Sequence, residues 1–174
     1  VFTPNDRILL QSFADQAAIA VFNAQLYGQV TYEKKRLDAL LDSAGDGILI
    51  LDAELNIERC NEAFSKLYGS TREEIKDKPH KEIIKWKKEP HGSTLEESIV
   101  NGWPLTPNAT LYVEGDLSRP LPPTLPVGIT YAPLLSDEGK LRNVIVAVRD
   151  ITHFRNADEM KATFISIVSH ELRT

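Results

Sequence analysis

Cysteine is almost absent. Cys60 is the only one among 174 residues, so neither an intrachain disulfide nor a multi-cysteine metal site can form, which suits a reducing compartment and points to the cytoplasm. An excess of positive charge is missing too: the formal net charge is −5, whereas phosphate binding draws on gathered Lys and Arg side chains that release counterions. Nucleic acid is therefore not an expected partner. No stretch of about 18 apolar residues occurs, and the first residues are neither basic nor followed by an apolar signal core, so no membrane segment is expected in this stretch of chain. The nine glycines form no GxGxxG or Walker-type pattern, the backbone cradle that a nucleotide phosphate needs. These residues alone are not expected to bind or hydrolyse ATP. What is present is an ordinary globular composition, 42% hydrophobic and 26% charged, enough for one core with extensions.

Proline is missing from a long opening stretch. Thr3, Pro4 and Asp6 make a helix start, because a threonine oxygen takes up free backbone amides, proline fits the first turn and an acid suits its positive end. From there Ile19, Phe22, Leu26, Val30, Leu37, Leu40 and Ala44 fall at three, four or seven residue spacings, with Glu33 the one charged member of that register. A continuous helix from Pro4 to Ala44 is about 60 Å long at 1.5 Å per residue, too long to bury its stripe on one small domain. A second copy of the chain is the simplest cover. Gly28 weakens the middle by roughly 1 kcal/mol relative to alanine, which leaves a bend or break there open.

After "SAGDG" the pattern changes. "ILILD" and "NIERC" read as two strands of a hairpin, "NEAFSKLYG" and "TREEIKDK" as short helices capped by Asn61 and Thr71 with Gly69 as a stop, and "STLEESIVNG" as a helix capped by Ser93 or Thr94. Three more strands follow at "ATLYVEG", "LPVGITYAPLL" and "LRNVIVAVRDI", separated by the proline-rich "RPLPPTLP" and the turn "SDEGK". Two strands, several helices and three strands make an α+β domain of roughly 110 residues, with helices gathered on one face of an antiparallel sheet.

Three segments of that domain carry a family likeness. Asn61 and Phe64 in "ERCNEAFSKLYGSTREEIKDK", the preceding "GILILDAELNIE" and the closing "VIVAVRDIT" together resemble a PAS sensor domain over residues 44–152. The resemblance implies a five-stranded antiparallel sheet with helices on one face, flanked by long N-terminal and C-terminal helices. Upstream, "FTPNDRILLQSFADQAAIAVFNAQLYGQV" resembles the last helix of a GAF sensor domain, which would assign residues 1–30 to a truncated GAF-like domain and 31–43 to a signalling helix.

The last helical stretch, "HFRNADEMKATFISIVSHELRT", begins after Asp150 and Thr152, both able to cap it. At 100 degrees per residue, Ile165, Val168 and Leu172 lie about 140 to 160 degrees around the axis from His170, so the imidazole points away from the apolar stripe while Thr174 shares its face. A histidine so presented is largely neutral at cell pH and keeps a nucleophilic lone pair, which a neighbouring carboxylate such as Glu171 can strengthen. A zinc-protease motif is excluded because position 174 is threonine rather than the second histidine of the helical pair. Ser169, His170 and Glu171 cannot form a hydrolase triad either, since adjacent helix residues diverge by 100 degrees.

"SHELRT" resembles the phosphoacceptor box of two-component sensor histidine kinases. The resemblance implies that His170 accepts the γ-phosphoryl group of ATP, that Glu171 assists as acid or base, and that Thr174 positions water when the phosphorylated partner is dephosphorylated. It implies that residues 153–174 begin a dimerisation helix, that two copies pair through the flanking helices, and that a response-regulator receiver domain takes the phosphoryl group. ATP and magnesium belong to a catalytic domain that these residues do not contain. No cofactor is expected here: Cys60 precedes Asn61 at a strand end rather than sitting in the flavin-photosensor motif, and His80 and His91 are expected at the surface or in loops rather than as haem ligands. Trp86 and Trp103 are expected to help cover the core. The competing reading is a non-catalytic PAS module that binds a ligand or a protein, with an incidental histidine.

Overall fold

In the computed structural model the backbone is described for residues 4–104, 106 and 108–171, and side chains as far as Ile165 apart from that of Asp6. The chain divides into two units, residues 1–43 and 44–174. The first is α1, Pro4–Ser43, which runs for 40 residues and continues through Gly28 without a break. Its stripe is open to solvent: Ile19, Phe22, Leu26, Val30, Leu37 and Leu40 are between 45% and 67% exposed. Local polar contacts decorate the helix, with Gln11 donating to Asp15 at 3.0 Å and Glu33 lying 3.6 Å from Arg36.

The second unit is built on one antiparallel sheet of order β2-β1-β6-β5-β4-β3. Its elements are β1 (Gly47–Leu51), β2 (Ile57–Cys60), α2 (Glu62–Tyr68), α3 (Arg72–Ile75), α4 (His80–Ile83), β3 (Lys85–Trp86), α5 (Leu95–Val100), β4 (Leu111–Ser118), β5 (Leu125–Leu135), β6 (Leu141–Asp150) and α6 (Thr152–Glu171). Although "GILIL" is apolar throughout, only Gly47, Leu49 and Leu51 are fully buried, because alternate side chains of a strand face opposite sides of the sheet. Leu49 and Leu51, with Val127, Ile129 and Tyr131 of β5 and Val144, Val146 and Val148 of β6, meet Phe64, Ile75 and Leu95 from the helices in one core.

The short helices are set by local chemistry. Asn61 caps α2 by accepting from the Phe64 amide, and Gly69 ends it in the left-handed conformation at φ 85°, which favours glycine. Thr71 with Glu74 and Thr94 with Glu97 form reciprocal capping boxes on α3 and α5. The sheet has six strands rather than the five expected. The extra strand, β3, pairs Lys85 with Ser118 and Trp86 with Leu117, and a two-residue strand is too short to show alternation in sequence. It sits close against β4: a Cβ added at Gly115 would stand 2.8 Å from the Trp86 ring, so glycine there admits the indole.

Candidate functional site

The first and last strands of this second unit lie side by side, since β1 pairs with β6 and Gly47 lies opposite Val148. Arg149 forks onto the Asp46 carboxylate at 2.7 to 3.1 Å. Asn61, buried, binds the same corner from inside: its side-chain oxygen accepts from the Ile48 and Phe64 amides at 2.8 and 2.9 Å, and its NH2 donates to the Asp46 carbonyl at 3.0 Å.

The first turn of α6 is held as closely. The Thr152 amide donates to the Asp150 carboxylate at 2.8 Å, and the Ile151 amide to the Pro126 carbonyl of β5 at 3.1 Å. Arg155 reaches back from the helix to Asp116 of β4 at 2.7 Å and lies 3.6 Å from Glu114. Asp116 is paired in register with Pro126. One rung of the sheet therefore holds both the backbone and the first cation of the exit helix.

A polar chain runs from the partly exposed Glu96 into the core. His80 is 2% exposed at the start of α4; its Nδ1 lies 2.9 Å from the Glu96 carboxylate of α5, and its Nε2 lies 3.1 Å from the Tyr131 hydroxyl of β5. Hydrogen bonding from His80 holds the Glu96 carboxyl below the ordinary glutamate range, against the opposing effect of burial. Burial, with a smaller contribution from the Glu96 charge, pushes the Tyr131 phenol above its ordinary value, so it remains a neutral hydroxyl. An ionised Glu96 can only accept, so Nδ1 carries hydrogen, and in the neutral ring Nε2 accepts from Tyr131. The series is carboxylate, imidazole, phenol, but Tyr131 is 1% exposed. It ties helices to strand and offers no hydroxyl to a substrate.

A family profile described as the PAS domain matches residues 45–153. The chain belongs to the PAS domain family. Among curated proteins, Drug sensory protein A of Synechocystis sp. is 27% identical over 174 residues, covering 88% of this chain and 25% of that protein. Sensor protein kinase WalK of Staphylococcus aureus is 24% identical over 142 residues, covering 82% of this chain and 21% of that protein. The chain thus spans about a quarter or less of the length of these relatives. The PAS domain of an HTR-like protein from Haloarcula marismortui shares the fold, with a TM-score of 0.57 and 20% identity over 74% of this chain and 99% of that one.

The PAS domain places the sequence-predicted residues unevenly. His170 and Glu171 fall in the last turn of α6, but their side chains, and Thr174 altogether, lie outside the described residues. His91 is exposed, as expected, in a bridge to Glu114. His80 is not: the surface or loop placement expected of it is corrected to a buried helix start. Its amide donates to the Leu55 carbonyl at 2.8 Å, and Ile83 and Ile84, three and four residues on, are buried beside it. That spacing was the available signal, a helical face with histidine among its buried members. Both ring nitrogens of His80 are engaged, Nδ1 with Glu96 and Nε2 with Tyr131. Cys60 is buried at the end of β2 next to the α2 cap, and Trp86 and Trp103 pack partly buried against the core. Among the described residues no helix is long and apolar enough to cross a membrane, and no group of three or more metal-ligating side chains gathers.

Proposed function

We propose that this chain is the sensory and relay segment of a sensor histidine kinase. Residues 1–30 are the last helix of a GAF-like domain, 31–43 a signalling helix, 44–152 the PAS domain, and 153–174 the start of the dimerisation helix. His170 is the phosphoacceptor: an imidazole nitrogen attacks the γ-phosphorus of ATP, the bond to the ADP oxygen breaks, and Glu171 assists in handling the ring proton. Thr174 positions the water that hydrolyses the phosphorylated partner, a separate reaction from the transfer to His170. ATP and its magnesium are held by a catalytic domain outside these residues, and the phosphoryl group passes to a response-regulator receiver domain. No cofactor is assigned to the PAS domain, which acts as a relay between two parallel copies paired through α1 and α6.

The observation that carries this reading is positional. The helix that carries His170 and Glu171 leaves the PAS domain directly from a clamped first turn, and a curated relative named as a sensor protein kinase aligns with 82% of the chain. A small rotation or shift of α6 is enough for control, because misplacing an attacking atom by about 1 Å costs roughly 100-fold in rate. The test uses the parent protein extended past Thr174. It should gain acid-labile phosphate from ATP, and His170→Gln should abolish it. Labelling that survives the substitution removes the site assignment, and no labelling in the unsubstituted protein favours a non-catalytic PAS interaction module.

A further inference from the structure

A pit of about 440 Å³ opens where the end of α2, α3, α4 and β3 come together. Tyr68, Ile75 and Ile83 line it with buried side chains, and Lys78, Glu82 and Lys85 line it with exposed ones. Its rim is fixed by bonds within the domain. The Lys78 carbonyl accepts from the Ile57 amide at 2.9 Å, Lys85 pairs with Ser118, and Arg119, next to the lining Pro120, donates to the Leu67 carbonyl at 2.9 Å.

Two features of this pit have no use inside the domain. Tyr68 is 7% exposed and its ring stacks on Phe64, yet its hydroxyl has no hydrogen-bond partner among the described residues. A tyrosine so buried ordinarily finds one. Burial alone raises its phenol above the ordinary value, as befits a hydroxyl without an internal partner. The second feature is the charge. Lys78, Lys85 and Glu82 make no ion pair, with one another or elsewhere, among the described residues. Glu74, also in the lining, is committed to the α3 cap, where its carboxylate accepts from the Thr71 amide at 3.0 Å.

We infer that this pit binds a small zwitterion of the amino-acid class, with its carboxylate toward Lys78, Lys85 and the Tyr68 hydroxyl, its ammonium toward Glu82, and its side chain against Ile75 and Ile83. Charge balance selects the class. Glu74 and Glu82 offset the two lysines, so a simple anion loses at the carboxylates what it gains at the ammonium groups. A molecule carrying both charges meets both. The volume falls within the roughly 300–1,000 Å³ of small-molecule sites. Ile83 stands one turn after His80 in α4, so an occupant here bears on the helix that holds the polar chain. The inference goes beyond the relay reading by giving the PAS domain an input.

The test titrates the common α-amino acids singly into the whole chain and follows its amide resonances. At least one should bind with a dissociation constant of about 1 mM or below, which about a dozen atoms reach at ordinary ligand efficiency, and should move the amides of Ser70, Lys78 and Lys85. The amine and the acid made by removing its carboxylate or its ammonium should each bind about fivefold more weakly or worse, the value of one exposed charge pair. Lys78→Gln with Lys85→Gln should weaken the amino acid and the acid but not the amine, and Glu82→Gln should weaken the amino acid and the amine but not the acid. Tyr68→Phe should weaken the amino acid without lowering the melting temperature of the ligand-free chain, since the hydroxyl it deletes has no internal partner. If no amino acid moves the amides around the pit, the site falls. An acid or an amine that binds as tightly as the amino acid overturns the zwitterion. The lysine and glutamate variants alter exposed side chains and keep the test decisive should Tyr68→Phe fold poorly. These titrations use this chain, whereas labelling of His170 is read in the extended parent, so either can fail without the other.

Discussion

Replacing Tyr131 by phenylalanine tests whether the polar chain is a working part of the PAS core. The substitution keeps the ring, which packs at the sheet's centre between Leu111 of β4 and Val146 of β6. It deletes only the hydroxyl 3.1 Å from His80 Nε2. The cost is not that of one average hydrogen bond. With His80 2% exposed, water cannot take the place of the phenol, so an imidazole nitrogen is left buried and unsatisfied, a penalty of about 1–3 kcal/mol. For a domain of this size, whose urea sensitivity is about 1–3 kcal/mol per molar, the midpoint of unfolding should fall by about 1 M. Fluorescence is the assay, because Trp86 and Trp103 both lie in the second unit and report its unfolding without interference from α1. The companion variant is Tyr131→Phe with His80→Leu. Removing both partners leaves no orphaned group between them, and Glu96, 42% exposed, can turn to water. The double variant should therefore lose less than the two single losses added together. A midpoint change in Tyr131→Phe worth under about 0.5 kcal/mol, or strict additivity of the two substitutions, would refute the claim that the hydroxyl and the imidazole satisfy each other.

Asn61→Ala removes three hydrogen bonds at once, one of them the α2 cap, and thermal or urea unfolding should show a loss of about 2–4 kcal/mol; a loss under about 1 kcal/mol would mean that water or a shifted backbone replaces the side chain. Glu96→Gln should change the acid limb of stability. The folded carboxyl titrates below the ordinary value of 4.5, so its contribution is present above that value and is lost as pH falls through the lowered one. Melting temperatures of wild type and variant should therefore differ at neutral pH and converge once the pH has fallen through the lowered value, and parallel profiles across that range would contradict the cause assigned to the shift.

What the sequence disclosed follows the range of the interactions. Asn61, Thr71 and Thr94 cap helices by bonds spanning three residues, so their roles are visible from local spacing. The strands from Leu111, Leu125 and Leu141 show because β-branched runs end at proline, glycine and aspartate. The charged stretch from Lys76 to Lys88 yielded neither α4 nor β3, whose few residues take their conformation from bonds elsewhere: His80 to Leu55, and Lys85 and Trp86 to β4. The polar chain escaped for the same reason. Its members lie 16 and 51 residues apart from His80, and no local pattern records such a meeting. The "SHELRT" box was legible as a string, and the α6 helix that carries its His170 and Glu171 was legible from Asp150 and Thr152.

The placement of the polar chain gives the proposed relay a physical route. Tyr131 sits on β5, the strand whose Pro126 carbonyl holds the Ile151 amide. Pro126 is in turn paired with Asp116, which holds Arg155. A change in how α4 and α5 sit on the core thus acts on the same strand that anchors the first turn of α6. The two ends of that route differ in strength. The bond between His80 and Tyr131 is buried on both sides, so breaking it is costly. The Arg155 pair is about 30% exposed on both sides and contributes on the order of 1 kcal/mol. Elements that move in signalling come from the weakly held part of a fold, and the strong core with a weak exit clamp has that order. Strain introduced beneath the sheet would be released at Arg155 before it disturbed Tyr131, and release there frees the helix on which His170 stands.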